Sequence, residues 1–179
     1  NIDRMLAREE SMRSPALADE MEKVLPVVNT AGSDSAMLDN TLEFLMFSGM
    51  PLPKAVMITI PEPWSKSPNM SRSRRDMYHY YAALMEPWDG PAAIVFSDGD
   101  VVGAVLDRNG LRPTRYYLTD DDTLILASEV GVIDIPPEKI VRKARLHPGR
   151  VLLMDTVAGT LRDDHEVKST LARSHPYGE

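Results

Sequence analysis

The chain has 179 residues, 27 acidic against 20 basic side chains for a net charge of −7, and no cysteine. Without cysteine it offers no disulfide framework, no thiolate ligand for zinc or an iron–sulfur cluster, and no cysteine nucleophile of its own. A content of 43% hydrophobic and 26% charged residues is that of a soluble globular domain able to bury a core, and the acidic excess argues against non-specific nucleic-acid binding, which needs a surplus of lysine and arginine.

The apolar runs Ala55 to Ile60 and Val151 to Met154 fall far short of the ~20 residues needed to cross a bilayer, so no membrane span is expected. The chain opens on Asn1-Ile2-Asp3-Arg4-Met5, with no initiator methionine and no charged-then-apolar signal pattern, which reads as a processed product or a piece of a longer polypeptide.

In chain order, Leu17, Met21, Val24 and Leu25 fall at helical spacing, and Pro26 ends that run. After the loop Asn29-Thr30-Ala31-Gly32, a stronger helix opens at Ser33-Asp34-Ser35. Met37, Leu38, Leu42, Phe44, Leu45 and Met46 form its apolar stripe, either Ser33 or Asp34 is placed to cap a first-turn amide, and Gly49 supplies the stop. The stretch from Lys54 to Ile60 is more uniformly apolar. A short helix beginning at Pro51 fits it, but periodicity alone does not separate helix from strand there.

Three prolines between Pro61 and Pro68 mark a surface loop. From Ser71 to Glu86 the pattern is helical again, with Met77, Tyr80, Tyr81, Leu84 and Met85 on one side and Arg72, Arg75, Asp76 and His79 largely on the other. Beyond Gly90 the texture turns to period two. Residues 92–96 and 101–106 around Asp98-Gly99 form a hairpin signature, followed by a turn at Arg108-Asn109-Gly110, a strand over 114–118, a turn at 119–122 and a strand over 123–127. These read as one meander. A further hairpin over 151–155 and 159–162 and a helix over 166–173 complete a chain that is helical over 1–90, β-rich over 91–162 and helical over 163–179, an α+β arrangement of segregated elements.

Few residues stand out chemically. His79, His147, His165 and His175 lack the i, i+4 partner of a zinc helix and read as solvated. Arg72, Arg74 and Arg75 read as a solvated helix start, with an acidic partner domain as the alternative. Gly99, Gly103 and Gly110 are not followed by a helix and make no phosphate-cradling loop. Asp120-Asp121-Asp122 lacks the rest of a calcium loop and reads as a hairpin tip. Asn109-Gly110 has the composition of an oxyanion hole but stands between β segments, where the pair is first a turn. Asp34 is set apart, because a carboxylate at a helix start beside two serines can hold an ammonium group while neighbouring free amides hold a carboxylate. Plain capping is the competing reading of the same residue.

Ala31-Gly32-Ser33-Asp34-Ser35-Ala36 with Leu38-Asp39-Asn40, Glu86-Pro87-Trp88-Asp89-Gly90-Pro91-Ala92, Asp107-Arg108-Asn109-Gly110-Leu111-Arg112-Pro113 and Leu126-Ala127-Ser128-Glu129 resemble, in this order, the class II glutamine amidotransferase domain of the glutamate synthase family. The opening Asn1-Ile2 through Glu9 and the ending His175-Pro176-Tyr177 resemble it too, so the likeness covers essentially the whole chain.

This resemblance implies a four-layer αββα N-terminal-nucleophile hydrolase fold, with stacked antiparallel sheets flanked by helices, incomplete in this chain. In that family an N-terminal cysteine attacks the side-chain amide of glutamine with its own α-amino group as base, an Asn-Gly pair forms the oxyanion hole, and the products are glutamate and ammonia. The parent enzyme joins that ammonia to 2-oxoglutarate with FMN and an iron–sulfur cluster in other domains; this stretch is expected to bind neither. Expected partners are L-glutamine, the remaining domains of the parent chain, and a small subunit or ferredoxin, with no nucleic acid and no membrane. The expected location is cytoplasmic, or the plastid in a photosynthetic eukaryote.

The sequence departs from the family pattern where the chemistry begins. It contains no cysteine and starts on Asn1, so the family's nucleophile, oxyanion pair and carboxylate-binding arginine are all expected upstream of it, and Asn109-Gly110 does not replace them. No catalytic residue is expected in this chain. Of the glutamine-binding set, Asp34 carries over as partner of the substrate's α-ammonium group, with Ser33 as an auxiliary. Taken alone, the chain is expected to be inactive. Two other readings share these residues: a fragment of another class II amidotransferase of the purine-pathway type, and a non-catalytic interaction module of the same fold.

Overall fold

The computed structural model describes residues 12–178. The opening motif from Asn1 to Glu9 lies outside the described residues. These divide into two compact units, one of residues 12–90 with 165–178 and one of Pro91–Asp164.

The first unit is helical. A 3-10 turn, Ala18–Glu20, precedes α1 (Met21–Val24), so the helix predicted over 17–25 is shorter and divided. Leu17 and Met21 pack against Met12, Val28, Met37 and Phe44, whereas Val24 and Leu25 stay exposed. In α2 (Asp34–Phe47) the sequence signals are realised closely. Ser33 accepts a hydrogen bond from the Ala36 amide at 3.2 Å, Met37, Leu38, Leu42 and Phe44 are buried, and Gly49 turns the chain at φ +87° with its amide on the Met46 carbonyl at 2.8 Å.

Pro51 opens α3 (Leu52–Thr59), in which Leu52 and every residue from Lys54 to Thr59 are buried. A helix enclosed on all sides has no polar face to mark its period, which is why periodicity alone was ambiguous there. Ser71 caps α4 (Arg72–Leu84) through the Arg74 amide. Its inner face differs from the predicted one: Met77 and Tyr78 are buried, while Tyr80 and Leu84 are 48% and 52% exposed. The inward stripe follows the buried Met77 and Tyr78 and the half-buried Arg74 and Tyr81, at helical spacing, with Arg74 turned toward a carboxylate. Met77 and Tyr78 pack with Ala172 of α5 (Asp164–Ala172).

The second unit holds seven strands: β1 (Ala93–Ser97), β2 (Val101–Leu106), β3 (Arg115–Thr119), β4 (Leu124–Ala127), β5 (Ile140–Arg145), β6 (Val151–Asp155) and β7 (Thr160–Arg162). They form two antiparallel sheets, β1-β2-β6-β7 and β4-β3-β5. The single meander expected from sequence is therefore corrected. The hairpins β1-β2, β3-β4 and β6-β7 are local, but β2 pairs with β6, and β3 pairs with β5, a strand not anticipated. Ala104 and Leu106 of β2 and Leu152 of β6 share one core cluster with Tyr116 of β3, so the two sheets close on a common apolar layer.

Candidate functional site

The loop before α2 is tied to the helix it enters. Asn29 donates its amide to Asn40 Oδ1 at 3.1 Å, its own Oδ1 accepts from the Ala31 amide at 3.1 Å, and its carbonyl accepts from the Gly32 amide at 3.0 Å. Gly32 is needed for closeness: a Cβ there would lie 3.2 Å from the Ala36 Cβ and 3.3 Å from the Asn29 carbonyl oxygen.

Ser33 takes the capping role that the sequence left open between it and Asp34. Ser33 is the cap, in extended conformation, with its hydroxyl 3.0 Å from that of Ser35. Asp34 is the first residue of the helix and is exposed, and its carboxylate has no hydrogen-bond or ion-pair partner among the described residues. The backbone amides of Asp34 and Ser35 likewise have no acceptor there, since Ala36 gives its amide to Ser33 Oγ and Met37 gives its own to the Ser33 carbonyl at 3.0 Å. One helix turn thus presents a carboxylate and unsatisfied N–H groups side by side, the complement of an amino acid's ammonium and carboxylate.

The model of the class II glutamine amidotransferases matches residues 1–179. The chain belongs to that family. It is 48% identical over 177 residues to the large chain of a glutamate synthase [NADPH] of Bacillus subtilis, covering 99% of this chain and 12% of that protein. It is 49% identical over 178 residues to a glutamate synthase [NADH] of Schizosaccharomyces pombe, covering 99% and 8%. A chloroplastic ferredoxin-dependent glutamate synthase of rice is 44% identical over 181 residues, covering 99% and 11%. The chain thus spans about a tenth of the length of these curated relatives.

Several other sequence candidates of this amidotransferase chain have structural roles. Asp107, 4% exposed, takes the Ala92 amide on Oδ1 at 3.1 Å and the Asn109 amide on Oδ2 at 2.9 Å. Asn109-Gly110 is accordingly a turn, with Gly110 at φ +60°. Asp121 sits at a hairpin tip, its carboxyl held below the usual range by hydrogen bonds from Thr119 and Thr123. All four histidines are exposed. Among the described residues, no group of three histidine, aspartate or glutamate side chains is arranged to hold a metal ion, and no helix is long and apolar enough to cross a membrane.

The arginine cluster at the start of α4 is only partly a solvated helix start. Arg72 is exposed and lies 3.6 Å from Asp76, and Arg75 donates to the Ser67 carbonyl at 2.6 Å. Arg74, however, is mostly withdrawn from solvent and paired with Glu62. The same carboxylate accepts from Tyr78 at 3.1 Å and lies 3.3 Å from the Lys168 ammonium, which is 1% exposed. Nothing in the local sequence marks Glu62 as interior, because it follows Pro61 in a loop and its partners lie 12, 16 and over a hundred positions away.

Lys54 of α3 is also buried and was missed. Its ammonium stands 5.5 Å from the Tyr81 ring centre and 5.2 Å from that of Tyr177, in the family-like ending. Burial pushes the Tyr177 phenol up, but hydrogen bonds from Lys54, Ser174 and Tyr81 and the Lys54 charge outweigh it and hold that phenol below the usual range. Burial, then the Tyr177 neighbour, pushes Tyr81 well above that range.

Proposed function

We propose that this chain is the glutamine-holding part of the amidotransferase stage of a glutamate synthase, in which L-glutamine is hydrolysed to glutamate and ammonia for reductive amination of 2-oxoglutarate. The observation that carries this reading is the first turn of α2, where Asp34 has both carboxylate oxygens available among the described residues, just after a loop that the Asn29 amide ties to Asn40 of the helix. The α-ammonium of glutamine is assigned to Asp34. The adjacent amides of Asp34 and Ser35 favour the α-carboxylate, and Ser33 acts as auxiliary by keeping the turn capped.

Relatives named for NADPH, NADH and ferredoxin resemble this chain to a similar degree, 44–49%. That similarity supports a role in the step common to all three rather than in electron delivery. With no cysteine among the 179 residues, the attacking thiol comes from elsewhere in the parent polypeptide, and this chain orients the substrate. The iron–sulfur cluster of the reading is ligated by other domains, since this chain has no cysteine to ligate one.

The test is Asp34→Asn in the parent protein. The variant is expected to raise KM for glutamine roughly tenfold to a hundredfold, the scale of one charge-assisted contact, while glutamate formation from directly supplied ammonia stays unchanged. An unchanged KM for glutamine overturns the assignment.

A further inference from the structure

Strands β3 and β5 bring Arg115 and Arg145 directly opposite each other. Side chains in such a pair start about 4.5–5.5 Å apart, and like charges there are destabilising. Arg112, three residues before Arg115, lines the same cavity of ≈ 200 Å³, and none of the described residues that line it is acidic. All three arginines are exposed, and none has an ion pair, a hydrogen bond or a ring contact among the described residues.

Their neighbours differ in this respect. Arg142 lies over the Tyr116 ring at 5.6 Å and Lys143 over that of Tyr117 at 5.8 Å, so those cations are met by aromatic faces. In a chain of net charge −7, three arginines line one hollow with no opposing carboxylate among the described residues.

The frame of the hollow is stiff. Gly110 at φ +60° presses so closely on Pro148 that a Cβ would lie 2.5 Å from its Cγ, and the Leu146 amide is bonded to the Thr114 carbonyl at 2.9 Å. Pro113 adds a second fixed backbone position to the wall.

We propose that this cavity is a binding site for a small oxyanion of the phosphate class, held by Arg112, Arg115 and Arg145. Guanidinium forks match tetrahedral oxyanion geometry, and a doubly charged anion between Arg115 and Arg145 converts their repulsion into two charge-assisted contacts. The cavity is small enough to favour a compact ion over an extended acidic segment. The site lies in the unit of Pro91–Asp164, whereas Asp34 belongs to the other unit, so the inference stands apart from the glutamine assignment.

Inorganic phosphate is the probe, titrated calorimetrically into the 179-residue chain at constant ionic strength, with thermal unfolding followed in parallel. Saturable binding is expected, together with a rise in unfolding temperature that chloride at equal ionic strength does not reproduce. Arg145→Gln is expected to raise the unfolding temperature in phosphate-free buffer, by relieving the cross-strand repulsion, and to weaken phosphate binding about tenfold. Arg112→Gln, outside the strands, is expected to weaken phosphate binding similarly while still unfolding cooperatively. An equal response to chloride, phosphate binding unchanged in both variants, or saturable binding of a hexaglutamate peptide without binding of phosphate overturns the proposal.

Discussion

Glu62 receives charge from Arg74 and Lys168 and a hydrogen bond from Tyr78 where little water reaches, its side chain being 9% exposed and that of Lys168 1%. A buried carboxylate so placed depends on its charged partners, and removing its charge takes a close counter-charge from cations that are largely desolvated. Glu62→Gln is therefore expected to lower the unfolding free energy by about 3 kcal/mol, read from urea denaturation. Adding Lys168→Met removes one of the two cations that faced the Glu62 charge, so the double variant should recover part of that loss. A double variant less stable than Glu62→Gln would show that Lys168 matters through its packing and not through its charge. At this scale the sequence was legible where chemistry is local, as in the capping of α2 by Ser33. It was opaque where partners come from distant positions: Arg74 read as solvated because Glu62 and Lys168 had no visible connection to it.

Elements were legible in proportion to how one-sided they are. Helix α2 has a cap, a stripe and a glycine stop, and its boundaries follow from them. Strand β5 has none of these signals: only Ile140 and Ala144 are half-buried, and Val141, Arg142, Lys143 and Arg145 face solvent, so the alternation that marks a strand is missing. In β2 the informative residue is Gly103, paired with Phe96 of β1, whose ring lies across the glycine so closely that a Cβ would stand 2.2 Å from Cζ. Gly103 lies inside the strand, where its role is to admit an aromatic ring onto the sheet. Gly103→Ala must displace Phe96, which is 7% exposed, and is expected to cost about 1–3 kcal/mol of stability. Gly99→Ala, at a turn with nothing within 4 Å of the added Cβ, serves as a control for backbone strain alone. If thermal unfolding shows Gly103→Ala no less stable than the parent chain, the packing argument fails.

For the whole molecule, sequence physics supplied the hairpins but not their assembly. Turn residues such as Asp98-Gly99 fix which neighbouring strands pair, whereas the β2-β6 and β3-β5 pairings depend on contacts between distant segments that no local pattern encodes. The family resemblance reached further because it compares ordered motifs along the whole chain, and for Asp34 it favours ammonium binding over the plain capping that helix-start chemistry left as a competing reading. Holding a substrate and breaking its bond are separable tasks, and the composition places them apart: the chain keeps an available carboxylate at the start of α2 yet has no thiol to attack an amide. The purified 179-residue chain is accordingly expected to release no glutamate from L-glutamine above a buffer blank, measured with a coupled glutamate assay over hours at saturating glutamine. Asp34→Asn provides the internal comparison, because a contaminating glutaminase is indifferent to that substitution. Glutamate release by the chain that disappears in the variant would mean that these residues hold a nucleophile other than cysteine, and would overturn the division of labour proposed for the parent enzyme.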